Sequence, residues 1–343
     1  MKTFIIAEAG VNHNGDENLA LRLVEVAARS GADAVKFQTF SADKLTRKGA
    51  AKADYQKQTT GEGDQHGMLK ALEMSECLHR HLFAHCADLD IEFMSTAFDE
   101  EALDFLVSLG IKRIKVPSGE ITNAPFLRYM ASKGLPMVVS TGMAELQEVI
   151  AAVDIIRDER SKRGFSEPLA ERVTILHCTS NYPAESTDVN LRAMNTMAQA
   201  TGLPVGYSDH TLGLAVSTGA VALGASVIEK HFTLDTALPG PDHRASLEPD
   251  QLAALVRQIR DVEKALGSDV KAPTASELPV RDLVRRSVTT IRQLNAGATV
   301  SREDVTLMRP GTGIPPIELE KVIGRKSARW ISAGETLTWS DLV

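Results

Sequence analysis

The chain has 343 residues, of which 24% are charged, 43% hydrophobic and 5% aromatic, with 38 Lys+Arg against 45 Asp+Glu for a net charge of −7. That composition excludes a disordered or collagenous chain, and the acidity speaks against a broad nucleic-acid surface, which is built on basic residues. The length suggests about two domains. Three cysteines, Cys77, Cys86 and Cys178, are too few for a disulfide framework. The apolar start of MKTFIIAEAG meets Glu8 at once, unlike a signal peptide. Thr211–Ile228 is uncharged, but Gly213, Gly219, Gly224 and several hydroxyls dilute it below a spanning helix. The expectation is a cytoplasmic protein with no membrane partner and no nucleic-acid partner.

In chain order, short apolar runs alternate with amphipathic segments. Strands are expected at Thr3–Glu8, Asp33–Gln38, Ile91–Thr96, Arg113–Val116, Pro136–Ser140, Val173–His177, Pro204–Ser208 and Ser226–His231. Helices are expected at Glu17–Arg29, Glu100–Leu109, Ala144–Arg160, Leu212–Leu223 and Pro249–Leu266, several followed by a capping glycine such as Gly31 or Gly110. Eight strand–helix units in about 265 residues fit an α/β (β/α)8 TIM barrel, with an open doubly wound sheet as the alternative. The long stretch 41–74 between the second strand and its helix is of the kind that forms a functional lid. Residues 1–266 therefore read as the barrel, 267–284 as a linker and 285–343 as a small β-rich domain with short runs at Ser287–Ile291, Val305–Met308, Ala328–Ile331 and Glu335–Trp339.

Barrel chemistry sits at the C-terminal ends of the strands. Those ends read Glu8 with Asn12 and His13, Lys36 and Gln38, Thr96, Lys115 with Ser118 and Glu120, then Ser140 and Thr141. They continue with His177 and Tyr182, then Ser208, Asp209 and His210, and finally Lys230 and His231. Buried strands have no cheap use for unpaired charge, so this convergence is the strongest signal in the chain. His210 and His231 end adjacent strands, where two imidazoles suit a divalent metal with open positions; two core histidines are the alternative. Lys36 and Lys115 ask for an anionic ligand surrounded by the hydroxyls of Thr96, Ser118, Ser140 and Ser208, or else for internal carboxylate partners. Glu120 is placed to handle a proton or a water, or to serve as an N-terminal helix acid. His79, His81 and His85 read as a solvated face, and Cys178 as a buried thiol. No Walker loop and no GxGxxG after a strand supports a nucleotide.

The segments VNHNG (11–15), KFQTF (36–40), KVPSGE (115–120), STGM (140–143), HCTSNYP (177–183), YSDHT (207–211), IEKHFT (228–233) and GPDH (240–243) together resemble the sialic acid (N-acetylneuraminate) synthase family. RRSV (285–288) and RPGTGI (309–314) resemble that family's C-terminal antifreeze-like (SAF) domain of β-clip type. The resemblance spans the whole chain. It implies condensation of phosphoenolpyruvate with an open-chain N-acetylmannosamine-type sugar to a nine-carbon 2-keto acid and phosphate. It further implies Mn2+ or Mg2+ on His210 and His231, and phosphoenolpyruvate on Lys36, Thr96, Lys115, Ser118, Ser140 and Ser208. The sugar would meet Gln38, Tyr182 and Asp242. Glu120 would act on the attacking water, and Arg309 would come from the partner in a domain-swapped homodimer. Tyr182 is followed by Pro183-Ala184-Glu185, wording closer to relatives that make legionaminic acid, whereas GPDHRAS departs from the pseudaminate branch. A TIM-barrel metal-dependent hydrolase, with Glu120 as base, is the competing enzyme reading.

Overall fold

The computed structural model describes residues 2–343, the side chain of Tyr55 excepted. Two compact units divide between Gly267 and Ser268. In the first, eight parallel strands close a barrel in sequence order: β1 (Phe4–Gly10), β2 (Ala34–Thr39), β3 (Glu92–Ala97), β4 (Ile114–Val116), β5 (Met137–Ser140), β6 (Val173–Cys178), β7 (Val205–Asp209) and β8 (Val227–His231), with β8 pairing back onto β1. The open-sheet alternative is thereby excluded. Each strand is buried on both faces, which is why it reads as an apolar run rather than an alternation.

The helices form where caps and stripes coincide. Asp16 accepts from the Leu19 amide and starts the helix Glu17–Arg29, which buries Ala20, Leu23, Val24, Val26 and Ala27. Such a cap contributes about 1 kcal/mol, and each buried Leu or Val about 1.5–3 kcal/mol. Asp99 caps Glu100–Leu109 in the same way, and Gly110 ends it in the left-handed region at φ 103°. The helix Pro249–Leu266 starts on Glu248, with the Gln251 side chain reaching back to its amide.

Two apolar layers hold the barrel. The larger lies between sheet and helices. The smaller fills the barrel's interior with Ile6, Ala34, Met94, Val138, Leu176 and Val227. Successive strand residues face opposite ways, so the residues two positions further along also face inward. Those are Glu8, Lys36, Thr96, Ser140, Cys178 and Glu229. This parity places the site.

The excursion 41–74 folds into three short helices, Ala42–Leu45, Asp54–Thr60 and Gln65–Lys70. His79 departs from the solvated-face expectation: it is buried, with Nε2 2.7 Å from Thr39 Oγ1 and Nδ1 2.8 Å from the Ser75 carbonyl. His81 is exposed beside Glu17. The stretch read as a linker carries a helix, Glu277–Val284, with none of its residues buried.

The second unit pairs β9 (Ser287–Thr290) antiparallel with β10 (Val305–Met308) over a core that includes Val288, Val300, Ile314, Val322, Ile331 and Leu337. Ala328–Ile331 and Glu335–Trp339 are not strands there. They contribute only isolated bridges, Leu294 with Ile331 and Thr289 with Thr336, because Gly and turn residues interrupt the pairing.

Candidate active site

A cavity of about 500 Å3 opens above the interior apolar layer. Its base is a cluster of four charges. Lys36 Nζ lies 2.7 Å from Glu8 Oε2 and 3.6 Å from Glu229 Oε2, and donates to Thr96 Oγ1 at 3.1 Å. Lys115 Nζ donates to Ser140 Oγ at 2.6 Å and lies 3.7 Å from Glu229 Oε1. Ser208 Oγ donates to Glu229 Oε1 at 3.0 Å. All four charged residues are buried. Of the two readings of the lysines, the internal carboxylate pairing is therefore the one observed, at the base of an open cavity.

The electrostatics divide the carboxylates. Burial raises the Glu8 pKa to about 7, with Lys36 opposing and the charge of Glu229 adding to the rise. Burial acts on Glu229 too, but Lys115, Lys36 and the Ser208 hydrogen bond outweigh it and hold that carboxyl below its ordinary value. Lys36 is held above its usual value because Glu229 and Glu8 overcome burial, whereas burial, with Lys36 adding to it, lowers Lys115.

At the rim, the rings of His210 and His231 stand 5.6 Å apart, and Tyr182 lies over His210 at 4.1 Å. His210 Nδ1 sits 2.6 Å from the Thr179 carbonyl. A carbonyl only accepts, so Nδ1 carries the proton and Nε2 keeps its lone pair. His231 Nδ1 is buried with no hydrogen-bond partner, and Asp242 Oδ2 lies 3.9 Å away. Burial pushes both imidazoles below their ordinary pKa and lifts Asp242 to about 6. Two neutral imidazoles, one with its free nitrogen fixed by a carbonyl, fit a borderline divalent cation. Among the described residues no third His, Cys, Asp or Glu completes a metal cluster.

Of the residues expected from sequence, Lys36, Thr96, Lys115, Ser118, Ser140, Ser208, His210, His231, Gln38, Tyr182 and Asp242 all line this cavity. Ser118 is fixed by Gly142, whose amide donates to its Oγ at 3.0 Å. Gly142 could not carry a side chain without displacement, since a Cβ would lie 2.2 Å from Ser180 Oγ and 2.8 Å from Ser118 Oγ. Glu120 is not brought into the cavity. It ends a short 3-10 turn, half-buried, and accepts from Asn123 Nδ2 at 2.6 Å. Asn123 in turn caps the helix Ala124–Ser132. Arg309 belongs to the second unit, just after β10, and is exposed.

Strand parity also sorts the rest. His177 faces away and lies 2.5 Å from the Val189 carbonyl through Nε2. Lys230 pairs with Asp209 at 2.8 Å and donates to the Thr211 carbonyl at 2.7 Å. Those three belong to the scaffold. Glu229 was not among the expected residues, although its two-residue offset from His231 in IEKHFT places it on the same face. The lid contributes Gln56, Gln65, Met68, Leu69 and Leu72 to the cavity. Only the length of the 41–74 excursion pointed to them.

The fold and the site define a TIM-barrel protein whose barrel mouth gathers two buried lysines, two buried carboxyls and a pair of imidazoles. The chain belongs to the NeuB family, whose model matches residues 23–271, and carries a SAF domain over residues 285–343. It is 56% identical over 343 residues to the N,N'-diacetyllegionaminic acid synthase of Legionella pneumophila, covering 100% of this chain and 95% of that one. The protein of the same name from Campylobacter jejuni is 46% identical over 325 residues, covering 94% and 95%. The crystal structure of the N-acetylneuraminic acid (sialic acid) synthetase from Leptospira borgpetersenii, in complex with citrate, superposes with a TM-score of 0.72 at 35% identity, covering 82% and 90%. A hydrolase finds no support: such a zinc centre takes three protein ligands, and the cavity supplies two imidazoles.

Proposed function

We propose that the protein is a nonulosonate synthase, a transferase that condenses phosphoenolpyruvate with an N-acetylated amino sugar and releases phosphate. The observation that carries this reading is the base of the cavity, where Lys36 and Lys115 converge with Thr96, Ser118, Ser140 and Ser208 beneath the two imidazoles. The names of the relatives support it and favour N,N'-diacetyllegionaminate over N-acetylneuraminate as product.

Lys36 and Lys115 bind the phosphate and carboxylate of phosphoenolpyruvate through charge-assisted hydrogen bonds, with the hydroxyls fixing its orientation. Gln38, Tyr182 and Asp242 face the sugar. The enol carbon of phosphoenolpyruvate forms the new C–C bond with the sugar aldehyde, water adds to the adjacent carbon, and the C–O bond to phosphate breaks. A carboxyl near pKa 7 is matched to proton transfer at neutral pH, so Glu8 takes the proton-handling role at the cavity base. Glu120, from its place beside Asn123, acts on the loop that carries Ser118. His210 and His231 would hold Mn2+ or Mg2+, which would supply polarisation of the sugar aldehyde when bound.

The proposal assigns Arg309 to the sugar's N-acetyl group, the working form to a homodimer and its place to the cytoplasm. Mixing Arg309→Ala with His231→Ala restores turnover if the two residues serve one site from different copies. The direct experiment measures phosphate release from phosphoenolpyruvate with Mn2+ and either N-acetylmannosamine or its 2,4-diacetamido-2,4,6-trideoxy analogue. Sugar-dependent release is expected, with the diacetamido sugar preferred. Release without sugar, or none with either, refutes the reading.

A further inference from the structure

A second cavity of about 590 Å3 lies under the lid and shares Met68, Leu72 and Pro241 with the first. Its polar feature is Lys52, which is only 6% exposed. Lys52 Nζ donates to the carbonyls of Gly61 and Glu62, both at 3.1 Å. An ammonium has three N–H donors, and among the described residues no carboxylate pairs with Lys52 and no third acceptor meets it. A buried cation left in that state needs another acceptor. Glu62 and Asp64 also line the cavity, so its formal charge is negative even with Lys52 protonated, and a phosphate or carboxylate is disfavoured. Asn14, Thr59 and Thr60 also line it, with Asn14 Nδ2 donating to the Pro239 carbonyl and both threonine hydroxyls to that of Gln56, while Met68, Leu72 and Pro241 add apolar surface. A buried ammonium beside that apolar surface suits a neutral group with a carbonyl and a methyl.

The geometry points to this cavity as the subsite for a second acetamido group of the acceptor sugar, with Lys52 donating to its carbonyl and Met68, Leu72 and Pro241 covering its methyl. The inference rests on the synthase reading and adds to it the residues that distinguish a diacetamido sugar from a monoacetamido one. The test compares 2,4-diacetamido-2,4,6-trideoxymannose with 2-acetamido-2,6-dideoxymannose, in which a hydroxyl replaces the second acetamido group. The ratio of kcat/KM for the two sugars should fall about tenfold or more in Lys52→Met, as expected for loss of one hydrogen bond to a charged group. Ala71→Leu narrows the cavity from an exposed position away from the Lys52 hydrogen bonds, and should lower the same ratio even where Lys52→Met disturbs the lid. An unchanged ratio in both variants overturns the subsite. Calorimetric titration of the two sugars reads the subsite without turnover. An affinity difference that both variants preserve overturns it even if no phosphate is released, whereas absence of release from the unmodified protein overturns only the synthase reading.

Discussion

Replacing Glu8 by Gln should make the fold more stable at neutral pH while damaging the site. In the folded chain burial raises this carboxyl from 4.5 to about 7. A carboxyl whose folded pKa lies above its unfolded value weakens the fold at every pH above the unfolded value, and the penalty fades as pH falls through 7 toward 4.5. Evaluated with those two values, the penalty is about 3 kcal/mol at pH 7.5 and below about 1 kcal/mol at pH 5. Glutamine keeps the shape without the charge, and Lys36 retains Glu229 at 3.6 Å. Glu8→Gln should therefore unfold at higher urea than the parent at pH 7.5, with the gap nearly closed at pH 5. Both tryptophans, Trp330 and Trp339, lie in the small unit, so far-UV circular dichroism is the appropriate probe of the barrel. A variant less stable than the parent at pH 7.5, or a difference independent of pH, would refute the claim that Glu8 is held at an energetic cost.

Other perturbations separate binding from folding. Gly142→Ala pushes a methyl against Ser180, Ser118 and Cys178 side chains, which can rotate, so the Michaelis constant for phosphoenolpyruvate should rise about tenfold with stability changed by less than about 1 kcal/mol. Gly206→Ala sets its methyl 2.4 Å from the Val227 carbonyl, a backbone atom that cannot yield, and should destabilise the barrel by about 3 kcal/mol in urea. Asp33 accepts from Lys2, Arg260 and the Ile5 amide, contacts that outweigh its burial and depress its pKa. Its contribution is thus present above the unfolded value of 3.8 and lost as pH falls through the folded one. Asp33→Asn should cost about 1–3 kcal/mol at pH 7 and little near pH 2, as read by parallel denaturation curves. Mn2+ at 100 times its dissociation constant should stabilise the parent by about 2.7 kcal/mol, and His231→Ala should abolish that shift in thermal melting.

Much of the barrel was legible because its physics is local. Parallel strands buried on both faces spell themselves as apolar runs, and the helix Glu17–Arg29 begins at a capping Asp and ends before Ser30 and Gly31. The convergence of polar residues on the strand ends was equally readable, because Lys36 and Lys115 have no other economical place in a buried strand. What failed to show was which side of the sheet each rim residue takes. A list of strand ends mixes His177 and Lys230 with His210 and His231, and only the closed barrel's register, with Glu8 opposite both Lys36 and His231, separates them. Glu120 was drawn toward the site by nearness in sequence to Lys115. A 3-10 turn carries it to Asn123 instead. In the small unit, pairing through isolated bridges leaves no period for the sequence to display.

The charge layer at the cavity base ties stability to binding. Two buried lysines need counter-charge, and Glu229 supplies it to both, with Glu8 sharing Lys36. The two carboxylates do not share the burden equally. Glu229 lies between both lysines and accepts from Ser208, so it stays ionised, while Glu8 pairs directly with Lys36 only and faces the charge of Glu229. An incoming anion adds negative charge beside Lys36, competes with Glu8 for it, and so raises the Glu8 pKa further. Anion binding is thereby linked to proton uptake at Glu8, and by reciprocity the affinity for the anion should strengthen as pH falls through 7. Glu8→Gln presents the neutral form permanently, so it should bind phosphoenolpyruvate tightly with the slope through pH 7 removed, even as turnover fails for want of the proton acceptor. The residue that weakens the free fold is the one that makes room for the ligand's charge.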